Sequence, residues 1–378
     1  MRFLFTCGGT AGHIYPAVAV AQRLKLLMPD CKILFVGAAG QMETDLVPRE
    51  GFDIKTINIT NISREISLGG LRHNAKTMRN VLTSTNQVGA ILQKFKPDVV
   101  IGTGGYVCFP VLRAARQMGI FNIVHESNAV PGITTKLLSR TADRILVGFE
   151  ESRQYYKRQD AVVLTGTPVR EDFLNLNKKT AREKLGMDLD KPLVVSVWGS
   201  LGAQFMNKVM AGFIEKALGN PFFGVIHSAG KGGYDAMLQH MEKKGVKDAK
   251  ERGMEIREYI YDMPYVMAAA DLVICRSGAS TLSELGVLGK PAILVPSPNV
   301  TNQHQEKNAK VLEKAGAAVL IPEAEITEDK LLGAVSLLLS RPETLEAMSE
   351  HMKKLSIPNA TERIVDIILG YADKKNCE

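Results

Sequence analysis

The chain has 378 residues, of which 45% are hydrophobic and 23% charged, and its formal net charge is +7. This length is too great for one ordinary domain and fits two, while the basic balance favours anionic partners such as phosphates, nucleic acid or an acidic membrane face. No apolar run approaches the roughly 18 residues that span a bilayer, and the N-terminus lacks a signal peptide's long apolar region, so we expect a cytoplasmic protein.

The cysteines are odd in number and contain no C-x-x-C pair, which argues against a disulfide framework or a zinc site. We therefore expect reduced thiols, in the core or without a role. They are Cys7, Cys31, Cys108, Cys275 and Cys377.

Short β-rich apolar runs alternate with longer amphipathic segments in the first part of the chain. Helical patterns such as Ala17–Leu27 and Leu71–Phe95 separate the runs, and this alternation predicts βαβ units and a parallel sheet. The predicted strands are Arg2–Thr6, Lys32–Val36, Asp53–Ile57, Asp98–Ile101, Asn122–His125, Arg144–Val147 and Ala161–Leu164.

The segment Thr165–Pro168 interrupts this rhythm, which then resumes and ends in three helical patterns, Glu328–Leu339, Glu343–Leu355 and Ala360–Tyr371. The sequence therefore predicts two doubly wound α/β domains, residues 1–164 and 165–355. Open parallel sheets bind ligands at the carboxyl ends of their strands, so a cleft between the domains is the expected site. The strands predicted in the second domain are Leu193–Val197, Gly224–Ser228, Glu255–Tyr259, Leu272–Cys275, Ala292–Val295 and Ala317–Ile321.

Three glycine-rich turns follow predicted strands, at Gly8–His13, Gly102–Tyr106 and Gly199–Ala203. Glycine lets backbone N–H groups approach a ligand closely, and the N-terminus of the following helix adds partial positive charge. One such turn is weak evidence. Three at strand ends in two domains indicate phosphate-bearing substrates.

None of these turns reads G-x-G-x-x-G, because Thr10 and Val107 stand where glycines belong. The second strand is followed by Val36–Ala39, with no acidic residue for a ribose diol. The Walker sequence G-x-x-x-x-G-K-[ST] is also missing. These differences argue against an NAD-dependent oxidoreductase and a P-loop ATPase.

The segment Cys275–Glu284 follows a buried type of strand and allows two interpretations. Ser280 or Thr281 suits a helix N-cap with Glu284 as its capping-box partner. Alternatively, Glu284 accepts hydrogen bonds from a ribose diol, while the N–H groups of Ala279 to Thr281 face phosphate or base. Further along, Gln305 and Asn308 offer amides suited to sugar hydroxyls.

Six blocks together resemble the MurG family, the UDP-N-acetylglucosamine:undecaprenyl-pyrophosphoryl-N-acetylmuramoyl-pentapeptide transferases of peptidoglycan synthesis. They occur in the family's order and span nearly the whole chain. They read GGTAGHIYPAVAVAQRL, GTGGYVCFPV, HESNAVPGITTKLLSR, TGTPVR, WGSLGA and RSGASTLSELGVLGKPAILVPSPNVTNQHQEKNA.

This resemblance implies a GT-B fold with two Rossmann-like domains facing a cleft and a C-terminal helix, about residues 356–378, that packs back on the first domain. It implies inverting, metal-independent transfer of GlcNAc from UDP-GlcNAc to the 4-hydroxyl of MurNAc in the undecaprenyl-linked acceptor, the conversion of lipid I to lipid II, without a cofactor. The enzyme would act at the cytoplasmic face of the bacterial cell membrane, as a peripheral protein.

The resemblance also assigns residues, with His13 as the candidate catalytic base and Glu126 as a second catalytic residue. Acceptor binding falls to Gly9, Thr10, Gly104, Gly105, Tyr106 and Asn128. Donor binding falls to Thr10, Gly12, Asn128, Arg170, Ser200, Ile260, Ala279, Ser280, Thr281, Glu284, His304 and Gln305. Four positions depart from the family pattern, namely Ala11, Ser127, Thr167 and Trp198.

The expected chemistry needs a base for the acceptor hydroxyl and stabilisation of the departing diphosphate. Imidazole titrates near neutral pH and suits His13 to the first task, although His13 could instead only position the acceptor or its loop. Arg170, the Ser200 turn and the helix entering at Ala279 suit the second task. No D-x-D segment is an obvious metal clamp, because Asp188–Asp190 reads as a solvated turn.

A basic and apolar stretch predicts contact with an anionic membrane. Between Ile66 and His125 the only acidic residue is Asp98, against seven arginines and lysines. An apolar stripe flanked by cations can rest on anionic lipid, although an ordinary core-facing stripe would look the same. The stripe and its cations are Leu71, Arg72, Ala75, Lys76, Met78, Arg79 and Leu82.

Two rival functions have less support. A UDP-GlcNAc 2-epimerase or a diacylglycerol glycosyltransferase would share the fold, but the HESNAVPGITTK and GTGGY blocks favour the lipid-linked acceptor. A nucleic-acid binder is suggested only by net charge, and the chain has no recognised nucleic-acid module. We therefore expect no nucleic-acid partner.

Overall fold

The computed structural model describes residues 1–59, 84–199, 202–219, 222–244, 246 and 250–376. The chain forms two compact units, unit 1 with Met1–Arg170 and Ile357–Glu378, and unit 2 with Glu171–Ser356. The sequence placed the corresponding boundaries at residues 164 and 355. Some residues named above lie outside the described ones, namely Ser200, Cys377, Leu71, Arg72, Ala75, Lys76, Met78, Arg79 and Leu82.

Unit 1 contains a seven-stranded parallel sheet in the order β3-β2-β1-β4-β5-β6-β7. The strand β1 pairs with β2 on one side and β4 on the other, and helices cover both of its faces, so that its apolar residues Phe3, Leu4 and Phe5 are fully buried. The strands are β1 Arg2–Thr6, β2 Lys32–Ala38, β3 Asp53–Ile57, β4 Val99–Gly102, β5 Phe121–Glu126, β6 Arg144–Val147 and β7 Val162–Leu164.

The helices of unit 1 cover this sheet, and the C-terminal helix α14 packs against α1. Ile364 and Ile368 of α14 join the core beneath α1, and Tyr371 stacks on Phe121 with ring centroids 3.7 Å apart. The helices are α1 Ala11–Leu27, α2 Glu43–Arg49, α3 at residues 84–95, α4 Cys108–Gln117, α5 Ile133–Leu138 and α14 Ala360–Asn376, with short 3-10 turns at Glu150–Tyr155 and Gln159–Ala161.

Unit 2 contains a six-stranded parallel sheet in the order β10-β9-β8-β11-β12-β13. Its strands are β8 Leu193–Val197, β9 Gly224–Ser228, β10 Met254–Arg257, β11 Leu272–Cys275, β12 Ala292–Leu294 and β13 Ala318–Leu320. Its helices are α6 Lys178–Leu185, α7 Gln204–Ala217, α8 Tyr234–Lys243, α9 Met263–Ala269, α10 Ala279–Leu288, α11 His304–Lys314, α12 Glu328–Leu339 and α13 Pro342–Leu355, with 3-10 turns at Glu171–Phe173, Thr301–Gln303 and Glu323–Glu325.

The predicted fold class is confirmed, because all the predicted strands are present in two parallel α/β sheets. The predicted start of the first helix at Ala17 is wrong, since α1 begins at Ala11. Its first turn contains Gly12 and His13, which are weak helix formers, and a tertiary contact from the Thr103 hydroxyl to the His13 carbonyl helps to hold this turn helical. The prediction of reduced thiols is confirmed for the four described cysteines, which are free and buried.

A buried arginine organises one edge of unit 2. Arg182 is 1% exposed and donates to the carbonyl of Ala269 at the end of α9, to two carbonyls of the loop before β8, and to the Asp271 carboxylate at 2.6 Å. Lys290 is also buried, and its ammonium donates to the carbonyls of Ala268 and Ala270. The two cations therefore satisfy the carbonyls that end α9.

We expect Arg182→Met to lower the free energy of unfolding of unit 2 by about 3 kcal/mol or more, because the substitution removes the guanidinium from three carbonyls and from the Asp271 carboxylate, which keeps Lys178 and the Leu193 N–H as donors. Urea unfolding followed by the fluorescence of Trp198, the single tryptophan of the chain, measures this unit. The control is Lys179→Met on the same helix, at a position where the side chain is 75% exposed. Equal stability of the two variants would contradict the role given to Arg182.

Candidate active site

Two glycine-rich turns of unit 1 lie backbone against backbone at the carboxyl ends of β1 and β4. The N–H of Gly8 donates to the carbonyl of Gly104 at 3.1 Å. Gly104 and Gly105 have φ values of +124° and +92°, and a Cβ at Gly105 would collide with the Gly8 carbonyl oxygen. Only glycine permits this conformation and this approach, so the two turns form one rigid backbone platform.

His13, in the first turn of α1, lies on this platform. Its Nδ1 is 2.9 Å from the carbonyl oxygen of Gly8 and 3.4 Å from Oγ1 of Thr10. Since a carbonyl only accepts, Nδ1 carries the proton of the neutral ring and Nε2 is the basic nitrogen. The Thr103 hydroxyl fixes this turn of the helix by donating to the His13 carbonyl at 2.7 Å.

The second turn is held from the side of α4. The Cys108 thiol donates to the carbonyls of Gly104 at 3.0 Å and Thr6 at 3.2 Å, and burial raises its pKa to about 12, so the thiol stays protonated. Burial, and after it the charge of Glu43, raises the pKa of the neighbouring Tyr106 phenol. The predicted residues Gly9, Thr10, Gly12, His13, Gly104, Gly105 and Tyr106 thus belong to one neighbourhood in unit 1.

Glu126, at the end of β5, closes the following loop. One carboxylate oxygen accepts from the backbone and side-chain N–H groups of Asn128 at 3.1 and 2.9 Å, and the other accepts from the Gly132 backbone at 3.0 Å. These bonds shape the loop that carries Asn128. The catalytic role given to Glu126 stays a prediction.

Arg170 is the last residue of the first stretch of unit 1, and His125 contacts the residues just before it. The Nε2 of His125 is 2.9 Å from the carbonyl of Gly166, and burial lowers the pKa of His125, so its ring is a neutral donor to that carbonyl. The guanidinium of Arg170 lies 5.2 Å from the ring centroid of Tyr15 on α1, within the range of a cation–π contact.

The third glycine-rich turn, in unit 2, depends on another close backbone approach. Gly199 and Gly202 have φ values of +83° and +73°, and a Cβ at Gly202 would collide with the carbonyl oxygen of Ala229. The loop after β9 therefore packs directly on this turn. The predicted donor residue Ser200 lies outside the described residues, so its role stays a prediction.

A chain of buried polar groups supports this turn from below. The indole N–H of Trp198 donates to Oγ of Ser196 at 2.8 Å, and His227 contacts that hydroxyl through Nδ1 at 3.0 Å and the Asn207 amide oxygen through Nε2 at 3.2 Å. The Asn207 amide then donates to the Ala229 carbonyl at 2.8 Å. Every donor meets an acceptor if Nε2 of His227 carries the proton.

The helix α10 begins differently from the capping-box prediction. Its N-cap is Gly278, and no side chain caps the helix, so the interpretation of Ser280 or Thr281 as the N-cap is wrong. The cap has an extended conformation (φ −68°, ψ 135°), and Gly278 offers no side-chain oxygen. Ala279, Ser280 and Thr281 therefore form the first turn, and Glu284 shares a helix face with Ser280, four residues earlier.

The start of α11 is tied to the start of α10. The Ser277 hydroxyl donates to the Gln305 carbonyl at 2.7 Å, and the Asn308 amide donates to the Ser277 carbonyl at 3.2 Å. The side-chain oxygen of Gln305 accepts from the Ser297 N–H at 2.8 Å. The amides predicted to meet sugar hydroxyls thus also hold these loops together, and they bring His304 and Gln305 next to the first turn of α10.

Two further residues complete this edge of unit 2. Arg276 donates to the Val295 carbonyl at 3.0 Å, pairs with Glu323, and lies 5.4 Å from the Trp198 ring centroid. Ile260, a predicted donor residue, is buried after β10.

The described part of the chain contains no group of three or more His, Cys, Asp or Glu side chains that could hold a metal ion. Asp188 accepts from the backbone N–H groups of Asp190 and Lys191, which lowers the pKa of its carboxyl group. The segment Asp188–Asp190 is therefore a turn, as predicted.

Sequence reasoning missed Glu43, His227 and Asn207. Glu43 and His227 are fully buried, and all three contact the glycine-rich turns or the loops beside them. The only sequence signal for Glu43 was an acidic residue at the start of an amphipathic helix, and this signal is common. The sequence shows His227 only as a histidine inside an apolar strand, and this does not indicate its hydrogen-bond partners.

Comparison with known proteins assigns both units. Residues 3–147 match the glycosyltransferase family 28 N-terminal domain, and residues 193–364 match the glycosyltransferase family 28 C-terminal domain. A curated relative from Caldanaerobacter subterraneus subsp. tengcongensis is 44% identical over 97% of this chain and 99% of its own length. That relative is named UDP-N-acetylglucosamine–N-acetylmuramyl-(pentapeptide) pyrophosphoryl-undecaprenol N-acetylglucosamine transferase.

Solved structures agree with this assignment. The crystal structure of Acinetobacter baumannii MurG matches 98% of this chain and 99% of its own with a TM-score of 0.75 and 28% identity. A putative UDP-N-acetylglucosamine 2-epimerase from Listeria monocytogenes matches 99% of this chain and 97% of its own with a TM-score of 0.69, but at 14% identity this likeness shows the shared fold alone.

The buried His227 predicts a pH dependence of the stability of unit 2. Burial lowers its pKa to about 3, whereas in the unfolded chain it is about 6.5. The unfolded state therefore binds more protons below pH 6.5, and stability falls as the pH decreases toward 3, by at most about 1.4 kcal/mol per pH unit.

Urea unfolding followed by Trp198 fluorescence at about pH 7.5 and about pH 5 measures this effect, and we expect the His227→Gln variant to depend less on pH than the unmodified protein does. His240→Gln, at an exposed histidine on α8, is the control. An identical pH dependence in the unmodified protein and His227→Gln would exclude the proposed protonation state.

Proposed function

The chain belongs to glycosyltransferase family 28 and, within it, to the MurG family of N-acetylglucosamine transferases, and from this membership we infer that it transfers GlcNAc from UDP-GlcNAc to the 4-hydroxyl of MurNAc in undecaprenyl-pyrophosphoryl-MurNAc-pentapeptide. It is therefore the glycosyltransferase that converts lipid I to lipid II in peptidoglycan synthesis. The observation that best supports the chemistry is the hydrogen bond between Nδ1 of His13 and the carbonyl of Gly8.

Our proposal for the proton transfer follows from this bond. With Nδ1 engaged, Nε2 of His13 accepts the proton of the acceptor hydroxyl as the oxygen attacks the anomeric carbon and the bond to UDP breaks. A Cβ at Gly104 would lie 2.8 Å from Nε2, so this glycine leaves the space that the imidazole occupies. We assign the acceptor pyrophosphate to the same platform, which contains Gly105 and lies next to Thr10 and Tyr106.

Our proposal for the donor places it on unit 2. The N-terminus of α10 carries partial positive charge and begins with a glycine cap, which suits it to phosphate. Glu284, on the helix face of Ser280, accepts the ribose hydroxyls, and His304 and Gln305 adjoin from α11. Backbone dipoles and Arg170 meet the charge of the departing diphosphate, and we propose that no metal or other cofactor is required.

A transfer assay with UDP-GlcNAc and a synthetic prenyl-pyrophosphoryl-MurNAc-peptide tests these roles through two variants. His13→Ala should lower kcat by about 100-fold or more with little change in UDP affinity, because the base is lost. Glu284→Ala should weaken UDP-GlcNAc binding by about tenfold or more, since a bond from a hydroxyl to a charged group is lost. EDTA should leave the rate unchanged.

The outcomes distinguish the alternatives. An unchanged kcat for His13→Ala would exclude the base, and an unchanged donor affinity for Glu284→Ala would exclude the ribose contact. Conversion of UDP-GlcNAc without acceptor would indicate an epimerase. Glu306→Ala, at a partly exposed position on α11 that pairs only with Lys310 among the described contacts, is the matched control for Glu284.

We also propose that unit 1 docks on the cytoplasmic face of the cell membrane as a peripheral protein. No helix within the described ranges is both long and apolar enough to cross a membrane. The predicted stripe between Leu71 and Leu82 lies outside those ranges. The described residues that support docking are the exposed cation Arg113 on α4 and the exposed apolar side chains of Ile133 and Leu137 on the adjoining helix α5, which are 57% and 42% exposed.

Co-sedimentation with vesicles of neutral and of anionic phospholipid tests this docking. We expect binding that increases with anionic lipid and weakens with salt, and weaker binding of Arg113→Glu, because each cation near the surface contributes about 1 kcal/mol. Lys179→Glu, an exposed lysine of unit 2, is the control. Binding that ignores lipid charge and salt would contradict the proposal.

A further inference from the structure

Glu43 is a fully buried carboxylate beneath the first glycine-rich turn. It is the first residue of α2 and 0% exposed. One carboxylate oxygen accepts from the Ala38 N–H at 2.9 Å and the other from the Gly9 N–H at 3.1 Å. None of the ion pairs formed by described residues includes Glu43. The two backbone donors are therefore its principal partners.

The chain makes room for this carboxylate. A Cβ at Gly8 would lie 2.5 Å from Oε1 of Glu43, and a Cβ at Gly37 would lie 2.5 Å from its Cγ. Two glycines, one in the turn after β1 and one in β2, thus leave the space that the side chain fills. Burying a charged carboxylate costs free energy unless the carboxylate accepts hydrogen bonds. The bond from the Gly9 N–H to Glu43 therefore fixes the position of Gly9.

The decisive feature is the peptide group that joins Gly8 to Gly9. Its N–H donates to Glu43, and its carbonyl oxygen accepts from Nδ1 of His13 at 2.9 Å. The N–H and C=O of a trans peptide lie in one plane and point in opposite directions. Glu43 and the imidazole are therefore bound to the two sides of one rigid unit.

This arrangement has a chemical consequence. A carboxylate on the N–H polarises the peptide and strengthens the hydrogen bond that its carbonyl accepts. A carboxylate bound directly to Nδ1 of a catalytic histidine fixes the tautomer and the ring orientation. Here one peptide group lies between the carboxylate and the ring and transmits both effects.

We propose that Glu43 is a positioning residue for His13, acting through the Gly8–Gly9 peptide to hold Nδ1 protonated and Nε2 basic. This inference rests on the proposed role of His13 as the base. Glu43 also fills the inner side of the turn, where it accepts from the Gly9 N–H. The turn is thus already formed before the acceptor arrives.

The variant Glu43→Gln tests the proposal, because the amide can accept from only one of the two N–H groups and presents its NH₂ to the other. We expect kcat for GlcNAc transfer to fall by about tenfold or more, the size of one lost charge-assisted hydrogen bond, with UDP affinity unchanged. The control is Asp45→Asn on the same helix, an exposed carboxylate that pairs with Arg49, and it should retain full kcat.

A double-mutant cycle separates positioning from general loss of structure. If Glu43 acts through His13, Glu43→Gln should lower kcat less than twofold in the His13→Ala background. Equal effects of Glu43→Gln in both backgrounds would overturn the proposal, and so would an unchanged kcat in the single variant. If His13→Ala itself retains full kcat, the base assignment fails instead, which identifies the fault as the proposed function.

Circular dichroism establishes that the variants fold. Should Glu43→Gln fail to fold, Glu43→Asp replaces it in the same cycle, because it keeps the charge and draws the oxygens back by one methylene. The amide proton of Gly9 provides an independent measurement by NMR. Its resonance should move upfield in either variant, and an unmoved resonance would exclude the hydrogen bond on which the proposal depends.

Discussion

The contact of the Gly8 turn with the Gly104–Gly105 turn is the constraint on which the proposed chemistry of unit 1 depends. Backbone atoms meet there without intervening side chains, and the Gly8 N–H and the Gly8 carbonyl point to different partners. The carbonyl orients His13 and the N–H joins the second turn. Any side chain at Gly105 would separate the turns, and with them the residues assigned to base and acceptor.

Unit 2 depends on a similar contact, supported in a different way. The Gly202 turn lies against the carbonyl of Ala229, and the chain from Trp198 through His227 to Asn207 satisfies the polar groups below it. In unit 1 the buried carboxylate of Glu43 supports the Gly8 turn by accepting from the Gly9 N–H. In both units, the glycine-rich turns are thus fixed from inside the protein by buried polar side chains.

Much of the fold could be predicted from the sequence. All the strands were located, because fully buried parallel strands are short apolar runs bounded by glycine and polar residues. Errors occurred where local preference and tertiary contact disagree. The start of α1 was missed because Gly12 and His13 are held in the helix by the neighbouring turn, and the cap of α10 was misplaced because Gly278 replaces the expected hydroxyl.

The sequence by itself determined two parallel α/β units, their glycine-rich turns, the family and the candidate residues that follow from its motifs. Only the tertiary structure decided which atoms of those residues are engaged: Nδ1 of His13 on Gly8, the Gln305 amide oxygen on Ser297, and Glu43 on Gly9. The physical reason is that each of these bonds joins a helix residue to a loop residue, and tertiary contacts set the conformation of those loops. Periodicity and spacing describe one segment at a time, whereas a buried hydrogen bond depends on where two segments meet.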